Sequence, residues 1–292
     1  MLFEGSGVAI VTPFLNNGDI DYDTYTRLLE FHLNEGTDAI VVIGTTGEAT
    51  TLSKDEKREL IQFTVDKIDG RIPVIAGTGG NNTREDTLWS KEVSDMGVDA
   101  LLVVTPYYNK ASKQGLIDHF TQIADASSAP IILYSVPGRT NVDIPVEAIV
   151  ALSKHDNIIG LKDATANLNY TSHLRRLVSD DFALYSGNDD IILPFMSVGG
   201  QGVISVVANA MPRETSEICH AYLKGDVKRA RDIQLKILPF IDTLFIEASP
   251  IPIKRAMSLL GFGTPELRLP LSVAEDTTTE RLKTEMQKLN LI

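Results

Sequence analysis

Apolar residues in this chain fall into short, nearly continuous runs separated by longer amphipathic stretches. The runs are VAIVTP (8–13), AIVVIG (39–44), PVIAGTG (73–79), ALLVVTP (100–106), PIILYSVP (130–137), IIGLKDA (158–164), FALYSGND (182–189) and GVISVVANA (202–210). They are continuous rather than alternating, which is the pattern of parallel strands covered by helices. Helical patterns fill the gaps. Tyr25, Leu28, Leu29 and His32 share one helical face, and Gly36 ends that helix. Ser53 and Glu56 form an S-x-x-E capping box ahead of Leu60, Ile61 and Val65. Thr83 is expected to cap the next helix, whose apolar residues include Leu88, Trp89, Val93 and Met96. GTDAIVV (36–42) is echoed by GVDALLV (97–103), with a glycine leading through Asp-Ala into a strand in both copies.

Eight β-α units over roughly 220 residues predict an α/β fold, a (β/α)8 TIM barrel spanning residues 1–225. A doubly wound sheet rarely takes eight uninterrupted units, so the barrel is the better reading. After residue 225 the strand signal stops. Residues 226–292 read as a C-terminal helical domain, an appendage with a break at Pro250 and Pro252, and the barrel is expected to carry the active site.

Composition narrows the function classes. A hydrophobic fraction of 43% with 23% charged residues is ordinary for a globular chain of 292 residues. The net charge of −12 disfavours a nucleic-acid partner, because phosphate backbones are bound by clustered Lys and Arg. The single cysteine, Cys219, has no internal disulfide partner and reads as a small core hydrophobe. No run of about 18 apolar residues exists, and the opening MLFEGSGVAIVTPF lacks a basic leader. The expectation is a cytoplasmic protein without a membrane partner.

In a barrel of this kind, chemistry sits at the C-terminal ends of the strands. Lys162 stands at one of them. By alternation Ile159 and Leu161 face outward, and Gly160, Lys162 and Ala164 face the interior. A desolvated lysine loses affinity for its proton and becomes an amine that attacks carbonyls. The competing reading is a lysine ion-paired with a carboxylate such as Asp189. GTTGE (44–48) offers Gly44 and Gly47, which let the amides of Thr45 and Thr46 converge into an anion nest; a plain turn is the alternative. Tyr107, Tyr108 and Tyr134 lie at strand ends, where a phenol either packs or passes protons through a threonine hydroxyl. Arg139, after Pro137-Gly138, is a candidate clamp for a substrate carboxylate or a solvated surface arginine. GTGGNN lacks the third glycine of a dinucleotide fingerprint, and the five histidines are too scattered for a metal site. Asp163, Asp189 and Asp190 at the barrel mouth suggest a Mg²⁺ site as the rival chemistry.

Taken together, GTTGE, TPYYN, Y-x-VPxRT, GLKDA, SGNDD, GVISV-x-AN, PIPIK and LRLPL resemble the 4-hydroxy-tetrahydrodipicolinate synthase (dihydrodipicolinate synthase) family of pyruvate-dependent class I aldolases, from about Gly5 to Leu271. The VPGRT arginine separates this family from N-acetylneuraminate lyase and the sugar-acid aldolases, the runner-up readings. A non-catalytic barrel that binds a small acid is a third. The resemblance implies a Schiff-base lyase of lysine and diaminopimelate biosynthesis that joins pyruvate to L-aspartate 4-semialdehyde, with no cofactor and no metal. It assigns Lys162 as nucleophile, Thr45 and Thr46 to the pyruvate carboxylate, and Tyr134, Thr45 and Tyr108 to a proton relay. Arg139 would hold the semialdehyde carboxylate, and the backbone at Gly187 and Ile204 would line the pyruvate pocket. Tyr108 would reach in from a neighbouring subunit, which implies a homo-oligomer, a homotetramer built as a dimer of tight dimers. Ser135 and Ser249 stand where the family usually has Asn. In lysine-sensitive relatives L-lysine binds among residues matching Asn81, Glu85 and Tyr107, all present here. Lys54, Lys57 and Ala49 replace the histidines and serine of that pocket and predict weak or absent inhibition.

Overall fold

The computed structural model describes residues 2–292. The strands are β1 (Gly5–Ala9), β2 (Ala39–Val42), β3 (Val74–Gly77), β4 (Ala100–Val104), β5 (Ile131–Ser135), β6 (Ile158–Asp163), β7 (Ala183–Ser186) and β8 (Gly202–Ser205). They close in sequence order into one barrel, and β1 pairs in parallel with both β2 and β8. Seven of the eight predicted runs begin at or within a residue of a strand. The first is displaced: β1 starts at Gly5, not Val8. Its Gly-Ser-Gly opening reads as a turn, yet glycine is required there. Gly5 holds φ 116°, and a Cβ on it would stand 2.1 Å from Asp38 Oδ2; opposite it on β8, a Cβ on Gly202 would stand 1.9 Å from the Gly5 carbonyl oxygen.

Alternation sorts the strand residues into two cores. Ile40, Val42, Leu101, Val103, Leu133 and Leu161 face outward and join one large cluster with the surrounding helices. Ala39, Val41, Ala100, Leu102, Ile132, Tyr134, Tyr185 and Ile204 fill the interior. Phe3 closes the N-terminal end, stacked on Tyr185 with ring centroids 4.3 Å apart, and its carbonyl accepts the Tyr185 hydroxyl at 2.8 Å. The expected outward face of Ile159 does not hold. The β5–β6 register shifts between Ile131 and Ile132, and the extra residue packs Ile159 against the interior cluster. Leu161 and Lys162 nonetheless keep the faces that alternation gave them.

The capping box on helix Lys54–Ile68 is present in both halves. Ser53 Oγ accepts from the Glu56 amide at 3.2 Å, and Glu56 accepts from the Ser53 amide at 2.7 Å. Helix Thr83–Ser94 is capped by Asn82, not Thr83; the Thr83 hydroxyl instead meets His119 Nδ1 at 2.9 Å. Leu88 on that helix is exposed rather than part of the apolar face. The internal repeat has a structural basis. Asp38 accepts the Ser6 amide at 2.7 Å and Asp99 accepts the Val74 amide at 2.8 Å, so each aspartate ties its strand to the start of the preceding one.

After the barrel come helices Val227–Leu244, Ile251–Leu259 and Asp276–Lys288. Pro250 and Pro252 mark the start of the second, where a missing N–H breaks no helical bond. Gln234 on the first donates to the Asp189 carbonyl at 2.9 Å and accepts from the Leu193 amide, so the helix seats on the loop after β7. Cys219 is buried, and burial raises its thiol pKa. No helix among the described residues is long and apolar enough to cross a membrane.

Candidate active site

The C-terminal mouth of the barrel gathers most of the predicted site. Lys162 lies near the end of β6, in register with Tyr134 on β5 and Tyr185 on β7, both of them interior residues. It is 5% exposed. Its ammonium nitrogen sits 4.4 Å from the Tyr134 ring centroid, over an aromatic face rather than on a carboxylate. Among the described residues the one ion pair with both partners buried is Lys254–Glu48, so Lys162 is not the paired structural lysine of the competing reading. Burial lowers its pKa from 10.5 to about 8; the Asp189 charge opposes that shift and the Arg139 charge adds to it. Gly160, two residues before the lysine on the same strand, serves strand packing. A Cβ there would stand 2.6 Å from the Ala183 carbonyl oxygen on β7.

Tyr134 is buried, and its phenol is pushed up to about 12, with the Arg139 charge and the neighbouring Thr45 hydroxyl drawing it partly back. It is therefore a protonated donor at neutral pH. Thr45 is exposed and Thr46 buried in the turn after β2. Among the described residues neither of their amides donates to a backbone carbonyl, which leaves two N–H groups for an anion. The turn is bracketed by two residues in the left-handed region, Ile43 (φ 47°) and Glu48 (φ 54°). For a β-branched residue that conformation is a genuine outlier, held only where surrounding contacts insist on it.

Arg139 lies not on a loop but in the one-turn helix Pro137–Thr140 after β5, and donates through Nη2 to the Ser249 carbonyl at 2.8 Å. The Gly187 amide donates to the Asp163 carbonyl at 2.7 Å, next to Lys162 in sequence, and Ile204 is fully buried in the interior cluster. Tyr108 is the exception. It is 93% exposed, at φ 74°, and stands clear of its own chain's site.

The three aspartates weighed as a Mg²⁺ site are engaged separately. Asp163 accepts the Thr165 amide at 2.9 Å and the Thr171 hydroxyl at 2.8 Å. Asp189 Oδ2 accepts the Val206 and Val207 amides at 3.0 and 2.8 Å, and Asp190 is exposed. No group of three His, Cys, Asp or Glu side chains among the described residues is placed to hold a metal ion. Sequence reasoning missed Glu48, Ser249, Lys254 and Arg268 as parts of the site's frame. PIPIK and LRLPL were legible as motifs, but nothing in their spacing shows what they touch.

The dihydrodipicolinate synthetase family model matches residues 2–289. The chain is 49% identical over 291 residues to the 4-hydroxy-tetrahydrodipicolinate synthase of Alkaliphilus oremlandii, covering 100% of both chains. The dihydrodipicolinate synthase of Thermotoga maritima superposes with a TM-score of 0.98 at 38% identity, again over 100% of both. The chloride-inhibited dihydrodipicolinate synthase of Acinetobacter baumannii, whose crystal structure holds pyruvate, gives 0.97 at 41% identity over 99% of each. With its closed barrel, its buried strand-end lysine and a match over nearly its whole length, this chain belongs to the dihydrodipicolinate synthetase family.

Proposed function

We propose that the chain condenses pyruvate with L-aspartate 4-semialdehyde to 4-hydroxy-tetrahydrodipicolinate through a Schiff base on Lys162. The observation that carries this reading is a buried lysine with no carboxylate partner, lowered to about 8, beside a protonated tyrosine and two free amides. In the reaction the neutral Lys162 amine adds to the pyruvate ketone, and loss of water leaves an iminium. The Thr45 and Thr46 amides and hydroxyls hold the pyruvate carboxylate. A methyl proton then leaves, the resulting enamine forms a carbon–carbon bond with the semialdehyde, and the new alkoxide takes a proton relayed by Tyr134. The semialdehyde amine closes on the iminium carbon, releases Lys162 and completes the ring. Arg139 takes the second substrate's carboxylate in this reading, and the hydrogen bond from its Nη2 to the Ser249 carbonyl supports that role by steadying the guanidinium. The exposure of Tyr108 supports its service in a second copy's site, hence a tight dimer, and a tetramer of two such dimers. A reducing cytoplasm suits the buried free cysteine.

Three outcomes test this reading. Pyruvate with cyanoborohydride should add one reduced adduct per chain and abolish activity, with peptide mapping placing the adduct on Lys162. An adduct on Lys110 or Lys113, or none, would sink the mechanism. Arg139→Ala should still form the pyruvate adduct but lose about 2–4 kcal/mol of transition-state binding toward the semialdehyde, read as kcat/KM. Near-normal turnover would remove Arg139 from the site.

The third outcome concerns L-lysine. Lys54 Nζ lies 3.1 Å from Glu85 Oε2 and so takes up the carboxylate that relatives offer the ligand. Lys57 is partly desolvated and faces the Lys54 charge, which places two ammonium groups beside any incoming diamine. L-lysine at a few millimolar should therefore leave the coupled assay unchanged, both at saturating pyruvate and near its KM. Half-inhibition below about 1 mM, a binding energy of roughly 4 kcal/mol, would show that the pocket works.

A further inference from the structure

Glu48, the last residue of GTTGE, is buried and locked from the far end of the chain. Its Oε1 accepts from Lys254 Nζ at 2.6 Å, with the two side chains 1% and 2% exposed. Its Oε2 accepts the Arg268 backbone amide at 3.1 Å. The Lys254 ammonium and the Arg268 guanidinium lie over the Phe14 ring, 4.1 and 4.6 Å from its centroid. The Arg268 side chain then reaches the Gly18 and Thr51 carbonyls and the Glu56 carboxylate. The main chain around Glu48 is equally committed. Its amide donates to the Thr45 carbonyl at 3.1 Å, its carbonyl accepts from Thr51, and the Gly47 carbonyl accepts the Thr12 hydroxyl at 2.7 Å.

Stability alone does not explain such a pair, because burying two charges costs most of what their attraction returns, and apolar replacements often serve as well. The pair does act at one place, the left-handed residue that ends the turn holding the two free amides. A glutamate does not hold φ 54° unaided. We propose that Glu48 and Lys254 are positioning residues: their buried ion pair, backed by Arg268, sets the Thr45–Thr46 nest to receive the pyruvate carboxylate, so the C-terminal helices tune affinity for the first substrate. This rests on the pyruvate reading above. Neither side chain is assigned a contact with substrate, and Lys162, carried on β6, keeps its own environment when the pair is broken.

The test is trapping with pyruvate and cyanoborohydride on the full-length protein, with the half-saturating pyruvate concentration separated from the maximal rate. Lys254→Met should raise the half-saturating concentration about tenfold, a loss of roughly 1.4 kcal/mol, with little change in maximal rate. The double variant Glu48→Leu with Lys254→Met removes both charges, keeps the packing, and should show the same shift at near-native thermal stability. Glu48→Gln, almost isosteric and keeping one accepting oxygen for one of the two donors, guards against loss of fold and should show a smaller shift of about two- to fivefold. A purely structural role would lower the fraction of active protein, and with it the maximal rate, and leave half-saturation in place. Unshifted half-saturation in whichever variants are folded, with the unsubstituted protein trapping normally, overturns the positioning role alone. Failure of the unsubstituted protein to trap pyruvate at Lys162 overturns the underlying reading and this proposal with it.

Discussion

An amine enclosed in a closed parallel barrel, with an aromatic face beside it in place of a carboxylate, is the constraint on which the rest of this structure turns. Closure forces alternate residues of every strand inward, so a lysine at an inward position of β6 has to share the interior with Tyr134 and Tyr185. Desolvation penalises its charge and leaves a free amine within reach of neutral pH. The remaining polar groups of the mouth sit where the same closure delivers them: the nest after β2, Tyr134 and Arg139 on and after β5, and Gly187 after β7.

A second buried lysine shows what the first is spared. Lys254 is held in the interior by a carboxylate at 2.6 Å, and the Glu48 charge opposes the fall in pKa that burial imposes. That pairing suits a fixed charge whose work is geometric. Lys162 lacks it and keeps a proton it can give up. Burial thus lowers the pKa of both lysines, and what separates them is the carboxylate that holds Lys254 and the aromatic face beside Lys162. Asp189 acts on Lys162 through its charge without an ion pair between them, while its Oδ2 accepts two backbone amides.

Much of this was legible in the sequence, because barrels reward periodicity. The apolar runs marked the strands and alternation placed Lys162 inward, whereas the left-handed residues at the GTTGE turn are Ile43 and Glu48, not the glycines Gly44 and Gly47. What alternation could not show was the irregularity at Ile131/Ile132, which turns Ile159 inward without disturbing Lys162, since a register shift leaves no signature in an apolar run. The start of β1 lies outside the apolar run that begins at Val8, because glycines open the strand where the Gly202 backbone of β8 comes close. Asn82 displaced Thr83 as a cap because the two residues are near equals as caps and His119 engages the threonine. The Glu48–Lys254 pair joins residues 206 positions apart, beyond the reach of any local pattern. Tyr108 shows a different limit: it is exposed on the single chain, and only the resemblance to a family suggests its role in a second copy.

The central claim is that burial, not substrate, prepares the Lys162 amine, and it can be measured without pyruvate. Competitive acylation by acetic anhydride between about pH 6 and 11, read by peptide mass spectrometry, reports the free-amine fraction of each lysine. Because the pKa in the folded protein lies below the ordinary value, the Lys162 rate should rise with pH and level off through a midpoint near 8, while exposed lysines continue to rise toward their usual range. A Lys162 midpoint at the ordinary lysine value of 10.5 would contradict the account.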